Sequence, residues 1–213
     1  MLGLFFYIPY PTMKIMVENI KKYIEHSAIK ILLGGILLYI LIFGFIAWWK
    51  YYNFYYNALD LAIFNQTFFN TGNGRFFENS IHPPSYLGDH FSPIILPLAL
   101  FYLPWKHPLV LVFLQIIIIA LSALPLFLIA KTVLSQKAAL LIAFAYLANP
   151  FTQNISLFEF HVINLAIPLL LLTFYYYQKN SFIPYAFFIL LSLLVREDVV
   201  LYIIMFLILA ILD

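Results

Sequence analysis

A chain of 213 residues that is 65% apolar, 20% aromatic and 9% charged falls far below the roughly 25% charge of soluble domains. This excludes a water-soluble globule and predicts an all-α polytopic integral membrane bundle, with membrane lipid as its first partner. A formal net charge of +2 is too small and too dispersed for a nucleic-acid footprint, and zero cysteines exclude disulfides, thiolate metal sites and cysteine nucleophiles.

Residues 1–12 are apolar and aromatic but lack the basic start and small-residue cleavage site of a secretory signal, which leaves Met13 or Met16 as alternative initiators. Residues 1–30 are expected to form a cytoplasmic segment, with Ile15, Ile20, Tyr23 and Ile24 on one face of an interfacial helix. Residues 31–213 are expected to be a single transmembrane domain. Its first span is Ile31 to Trp49. Lys14, Lys21, Lys22 and Lys30 precede it, which by the positive-inside rule makes the N-terminus cytoplasmic, and Trp48, Trp49, Tyr51, Tyr52, Tyr55 and Tyr56 form an aromatic belt at its exit.

An external loop is predicted over 50–93. Within it, Asn57 to Phe69 reads as a juxtamembrane helix whose apolar residues point all round, so it packs among other helices and half-buries Asp60. Asn70 to Gly74 reads as a turn, followed by Arg75, Glu78, His82 and the run Gly88-Asp89-His90-Phe91-Ser92-Pro93. Pro93 to Trp105 is apolar but interrupted by prolines, which predicts an interfacial or re-entrant segment.

Leu109 to Ala130 is the second long span, followed by Lys131 and Lys137. Ala138–Phe151, Val162–Tyr177, Phe182–Val195 and Val199–Leu212 are all shorter than the roughly 20 residues a full crossing needs, which predicts a thinned membrane region. Counted as crossings they give about six spans with both ends inside. Six of the nine carboxylates and four of the five histidines then lie outside, with four of the eleven Lys and Arg. Among them are Asp60, Asp89, His90, Glu159, His161 and Arg196. Such a one-sided excess of acids and imidazoles exceeds what orientation alone requires, and a helical bundle can bring these segments together.

The stretches LDLAIFNQTFFNTGNGR, LGDHFSPIILPLALFYL, FEFHVINLAIPLLLL and VREDVVLY, in order, resemble the predicted membrane proteins grouped as domain of unknown function 2079. That family in turn resembles the C-type (GT-C) glycosyltransferases, which move a sugar from a polyprenyl-phosphate carrier to an acceptor at the outer face. The resemblance implies a polyprenyl-phosphate sugar donor, a plasma-membrane location and a catalytic base in the first external loop. Asp60 matches that base, with Asp89 as the second candidate, because an acceptor hydroxyl must lose its proton as it attacks the anomeric carbon. Arg196 matches a basic position that stabilises the phosphate leaving group, and Arg75 and Lys106 are weaker candidates. Glu159, His161 and His90 are expected to bind a divalent cation or to orient the sugar. A divalent cation is a possible cofactor with Asp60, Asp89 and His90 as ligands, although no helical histidine pair marks a zinc site.

Plainer roles compete with each of these. Asp60 can cap its own helix or bond a neighbouring one, Asp89 and His90 can form a turn and cap before Pro93, and Glu159 and His161 can be solvated loop residues. Arg196, Glu197 and Asp198 can form a local ion-paired turn, and His82 and His107 read as interfacial. A transport or ion-pathway protein would use the same carboxylates and histidines, and a non-catalytic membrane subunit would use none. The chain stops at Asp213 as its last run ends, so the bundle is expected to be incomplete at the C-terminus: a fragment, a part that a further partner chain completes, or a family member that has lost catalysis.

Overall fold

The computed structural model describes residues 10–57 and 59–212, and side chains for 27–57, 59–209 and 211–212. Residues 1–9, the side chains of Ile15, Ile20, Tyr23 and Ile24, and Asp213 lie outside the described residues.

Helix α1 (Tyr10–Tyr52) runs without a break past residue 30. It ends where Phe54 adopts a left-handed φ of 59°. There Tyr55 N donates to Lys50 O at 2.9 Å and Phe54 N to Tyr51 O at 3.2 Å, a Schellman closure built without glycine. Helix α2 (Leu59–Gly72) and the short α3 (Ile95–Tyr102) pack on each other. Helix α4 (Pro108–Leu121) begins at His107, whose ring Nδ1 accepts from Leu109 N at 3.2 Å. It continues into α5 (Ala123–Val133) through a bend at Ser122, whose hydroxyl donates to Ile118 O at 2.9 Å. Helix α6 (Gln136–Ala148) is followed by α7 (Pro150–Leu157), the break falling at Asn149-Pro150 because proline suits a helix start and not an interior. Helices α8 (Ala166–Gln178), α9 (Phe182–Leu193) and α10 (Val199–Leu212) complete the chain.

The architecture is helical among the described residues, as expected, and two of its helices are long enough to stand as spans by themselves. Ser27–Tyr52 and Pro108–Val133 are long and apolar enough to cross a membrane. The other runs form the shorter helices Gln136–Ala148, Val162–Gln178, Phe182–Leu193 and Val199–Leu209. At about 1.5 Å per residue each falls short of a hydrocarbon core of roughly 30 Å. The segment expected to be re-entrant is also a short apolar helix, Ile95–Trp105.

The core sits where α1 meets α4 and α6. Ala28, Leu32, Ile36 and Tyr39 recur at helical spacing on the buried face of α1, while Leu33, Leu37, Leu41 and Phe45 stay exposed on the other. Gly35 permits the α1–α6 approach, since a Cβ there would lie 2.3 Å from the Phe144 ring. Contacts far apart in sequence gather the polar segments at one end of the bundle. Lys50 Nζ donates to Leu157 O at 2.8 Å, Leu61 N to Glu159 Oε2 at 3.0 Å, His161 N to Gln115 Oε1 at 2.8 Å and Ile94 N to Leu194 O at 2.9 Å. The opposite end is marked by a contact from Thr132 Oγ1 to Gln178 Oε1 at 3.4 Å.

Candidate functional site

Asp60 lies in the first turn of α2, where the helix dipole favours a carboxylate. The helix is fixed there by Glu159, which accepts from Leu61 N, and by Phe160, whose ring meets Phe64 edge-on at 5.1 Å and Phe68 at 5.7 Å. Asp60 is thereby turned away from this packed face. Its Oδ2 lies 3.4 Å from His161 Nε2.

The hydrogen bonds around His161 define its orientation. Gln115 is buried within α4, and its Nε2 donates to the carbonyls of Ile155 at 2.8 Å, Phe158 at 3.2 Å and Glu159 at 3.2 Å. Its Oε1 accepts from His161 N at 2.8 Å and Asn164 Nδ2 at 2.9 Å. A carbonyl can only accept, so the 3.0 Å contact between His161 Nδ1 and Glu159 O requires a proton on Nδ1. Nε2 is then the atom turned to Asp60. One glutamine thus shapes the whole 155–164 segment.

The third side comes from the loop after α2. Asn79 Nδ2 donates to Ile63 O at 2.9 Å and Thr67 Oγ1 at 2.8 Å, while its Oδ1 accepts from Ile81 N at 2.8 Å and His82 N at 3.1 Å. This anchors His82 beside Asp89, with Nε2 3.7 Å from Asp89 Oδ2, and His90 Nε2 lies 3.9 Å from the same oxygen. The α9–α10 loop closes the fourth side. Glu197 receives His90 Nδ1 at 2.7 Å and Phe91 N at 2.8 Å, and Arg196 holds Asp198 through Nε at 2.9 Å and through Nη2.

These segments enclose a half-open cavity of about 340 Å³. Asp60, His82, Asp89, His90, His161 and Arg196 line it together with the apolar walls Ile63, Phe64, Tyr86 and Val162. Burial raises the Glu197 pKa, but the bonds from His90 and Phe91 outweigh it and hold the carboxyl below its ordinary range. Asp198 is lowered and Arg196 raised, each chiefly by their mutual hydrogen bond. Burial pushes the Tyr86 hydroxyl up to about 12. Arg196 thus spends Nε and Nη2 on Asp198.

Of the candidates from sequence, Asp60, Asp89, His90, His161 and Arg196 converge on this cavity. Glu159 does not, because it is 2% exposed and turned inward to cap α2. Its Oε1 is buried without a partner. Arg75 is also absent, because Glu78 at 3.3 Å and Asn70 hold it in the turn after α2. Lys106 is elsewhere too, donating to Asn73 Oδ1 at 2.9 Å. Among the described residues no three His, Asp or Glu side chains are placed to hold a metal ion, so Asp60, Asp89 and His90 do not form the ligand set expected of them.

Sequence reasoning read His82 as interfacial and Glu197 as part of a local ion-paired turn, and it passed over Gln115. Only Gln115 carried a usable signal, as a lone amide within an apolar span, where an unmet polar group is costly. His82 and Glu197 depend on which loops meet.

No curated protein and no solved structure matches this chain. Residues 50–213, the part that builds the cavity, match the family described as predicted membrane protein, domain of unknown function 2079, and the chain belongs to that family.

Proposed function

We propose that the cavity is the donor site of a transferase that moves a sugar from a polyprenyl-phosphate carrier at the extracytoplasmic face. The convergence of Asp60, Asp89, His90, His161 and Arg196 on one cavity supports the reading, since a base and cationic phosphate partners are needed within one substrate's reach. In the proposed step Asp60 takes the proton of the acceptor hydroxyl as its oxygen bonds to the anomeric carbon. The bond from that carbon to the phosphate oxygen breaks, and the electron pair leaves with the lipid phosphate. Arg196, with His82 and His90 when protonated, stabilises that charge. His161, whose Nδ1–H is spent on Glu159 O, orients the base when Nε2 is protonated as well and donates to Asp60 across 3.4 Å, and Asp89 stands as the second candidate base.

A second feature fits a lipid-linked donor. An almost wholly apolar groove of about 500 Å³ runs between α5, α6, α8 and α10, lined by Leu126, Tyr146, Ile167, Phe174, Met205 and others. Ile163 at the polar cavity and Ile167 at the groove are one helical turn apart, so one amphipathic molecule can occupy both. In this reading the four short helices also cross, through a locally thinned plasma membrane. The N-terminus is cytoplasmic in this reading.

The test is release of polyprenyl phosphate by purified protein in lipid nanodiscs supplied with a panel of polyprenyl-phosphate hexoses, with water and an added alcohol offered as acceptor hydroxyls. Asp60→Asn is expected to slow turnover by about 10²–10⁴-fold. Turnover unchanged in that variant removes Asp60 from the chemistry, and a wild-type protein that neither binds nor turns over any donor rejects the reading.

A further inference from the structure

Beside the charged cavity lies a smaller one of about 260 Å³, lined by Asn154, Ile155, Phe158, His161, Ile163 and Asn164. It shares His161 and Ile163 with the larger cavity, so the imidazole stands as a common wall. Apart from that ring its lining holds no ionisable group. Asn154 lies on α7 and Phe158 is the extended residue that caps its C-terminus, and both face the pocket. Phe158 is 45% exposed, and its ring lies 5.5 Å from His161 at an interplanar angle of 30°.

The amides here are oriented. Gln115 presents Nε2 to three carbonyls, so its Oε1 faces His161 N and Asn164, and Asn164 must offer Nδ2 to it. Asn164 Oδ1 is then left as an acceptor. Asn154 makes no side-chain hydrogen bond among the described residues, so its amide can both donate and accept. An aromatic face, a fixed acceptor and a free amide match a neutral ring carrying hydroxyls. They do not match a phosphate, which would meet no cation here other than His161.

We infer that this side pocket is a sugar subsite, in which Asn154, Phe158 and Asn164 select the hexose of a phosphate-linked ligand whose phosphate lies across His161 in the charged cavity. The inference rests on the proposed function and adds to it the residues that choose the sugar. Phe158 packs on an apolar sugar face, Asn164 accepts from one hydroxyl, and Asn154 distinguishes the orientation of another.

The experiment compares decaprenyl phosphate with decaprenyl-phosphate mannose, glucose and galactose, by equilibrium binding to the full chain in nanodiscs. One of the sugar-bearing ligands is expected to bind at least tenfold more tightly than decaprenyl phosphate. Asn154→Ala and Phe158→Ala are expected to erase that advantage while leaving decaprenyl phosphate binding within twofold. Asn154 and Phe158 are both exposed, and the unchanged phosphate binding verifies that the variants are folded. If decaprenyl phosphate binds but no sugar adds affinity, or the added affinity survives both substitutions, the subsite is overturned and the donor site stands. If no ligand binds, both fall together.

Discussion

Asp60 and His161 meet because a buried carboxylate and a buried amide hold their two segments in register. Glu159 accepts from Leu61 N next to Asp60, and Gln115 holds the backbone N–H of His161. Gln115→Leu keeps the volume but leaves the Ile155, Phe158 and Glu159 carbonyls and the His161 amide without this partner. It is expected to cost about 1–3 kcal/mol for each group left buried and unmet, read as a lowered Tm in detergent. Glu159→Ala should fall in the same range, whereas Glu159→Gln, which retains an acceptor for Leu61 N, should be milder. Glu197 makes a prediction about pH. Its pKa is lowered in the folded protein by the bonds from His90 and Phe91 against the opposing effect of burial, so its contribution is present above the ordinary carboxylate range. That contribution is lost as the pH falls through the lowered value. Thermal stability measured across acidic pH should therefore drop more steeply in wild type than in Glu197→Gln, and parallel curves would remove the linkage. At this scale the sequence marked Asp60, Asp89, His90, His161 and Arg196 as ionisable groups in a chain with few. It could not distinguish them from Glu159 or Arg75, because that depends on whether a side chain turns toward the cavity or into its own turn.

Helices were legible wherever long apolar runs carried their own stop signals. Ile31–Trp49 lies within α1, whereas the expected single run Ala138–Phe151 is broken at Asn149-Pro150, where proline starts a new helix. The end of α1 was less legible, since Phe54 takes a left-handed backbone that local sequence does not favour and that its Schellman bonds impose. The expected turn over Asn70–Gly74 begins later, because α2 extends to Gly72 and Gly74 supplies the positive φ of 84°. The close approach of α1 to α6 makes an element-scale prediction. Gly35→Val must displace Phe144, while Gly34 has nothing within 4 Å of its Cβ position. Gly35→Val is expected to destabilise by about 1–3 kcal/mol through overpacking, and Gly34→Val, with the same helix propensity, by much less. Equal Tm values for the two variants would show that α1 and α6 do not pack here.

Sidedness belongs to the whole molecule. Charge counting placed the external loop, the segment at Glu159 and the segment at Arg196 on one side, and the fold joins them at one end of the bundle, with Thr132 and Gln178 at the other. The pairing of loops was not legible, because it follows from the order in which helices pack and not from any residue's own chemistry. A single cysteine replacing Ser80, at the cavity end, should be labelled by an impermeant maleimide on intact cells. One replacing Lys137 should be labelled only after permeabilisation, and the reverse pattern would put the cavity on the cytoplasmic side. The most direct measurement is photo-crosslinking with a polyprenyl-phosphate hexose carrying a diazirine on its sugar, followed by peptide mapping. The account predicts adducts in the segments containing Asp60, Asp89, His161 and Arg196, suppressed by excess unmodified donor. Adducts confined to the exposed lipid-facing surfaces of α1 and α10, or insensitive to that excess, would contradict it.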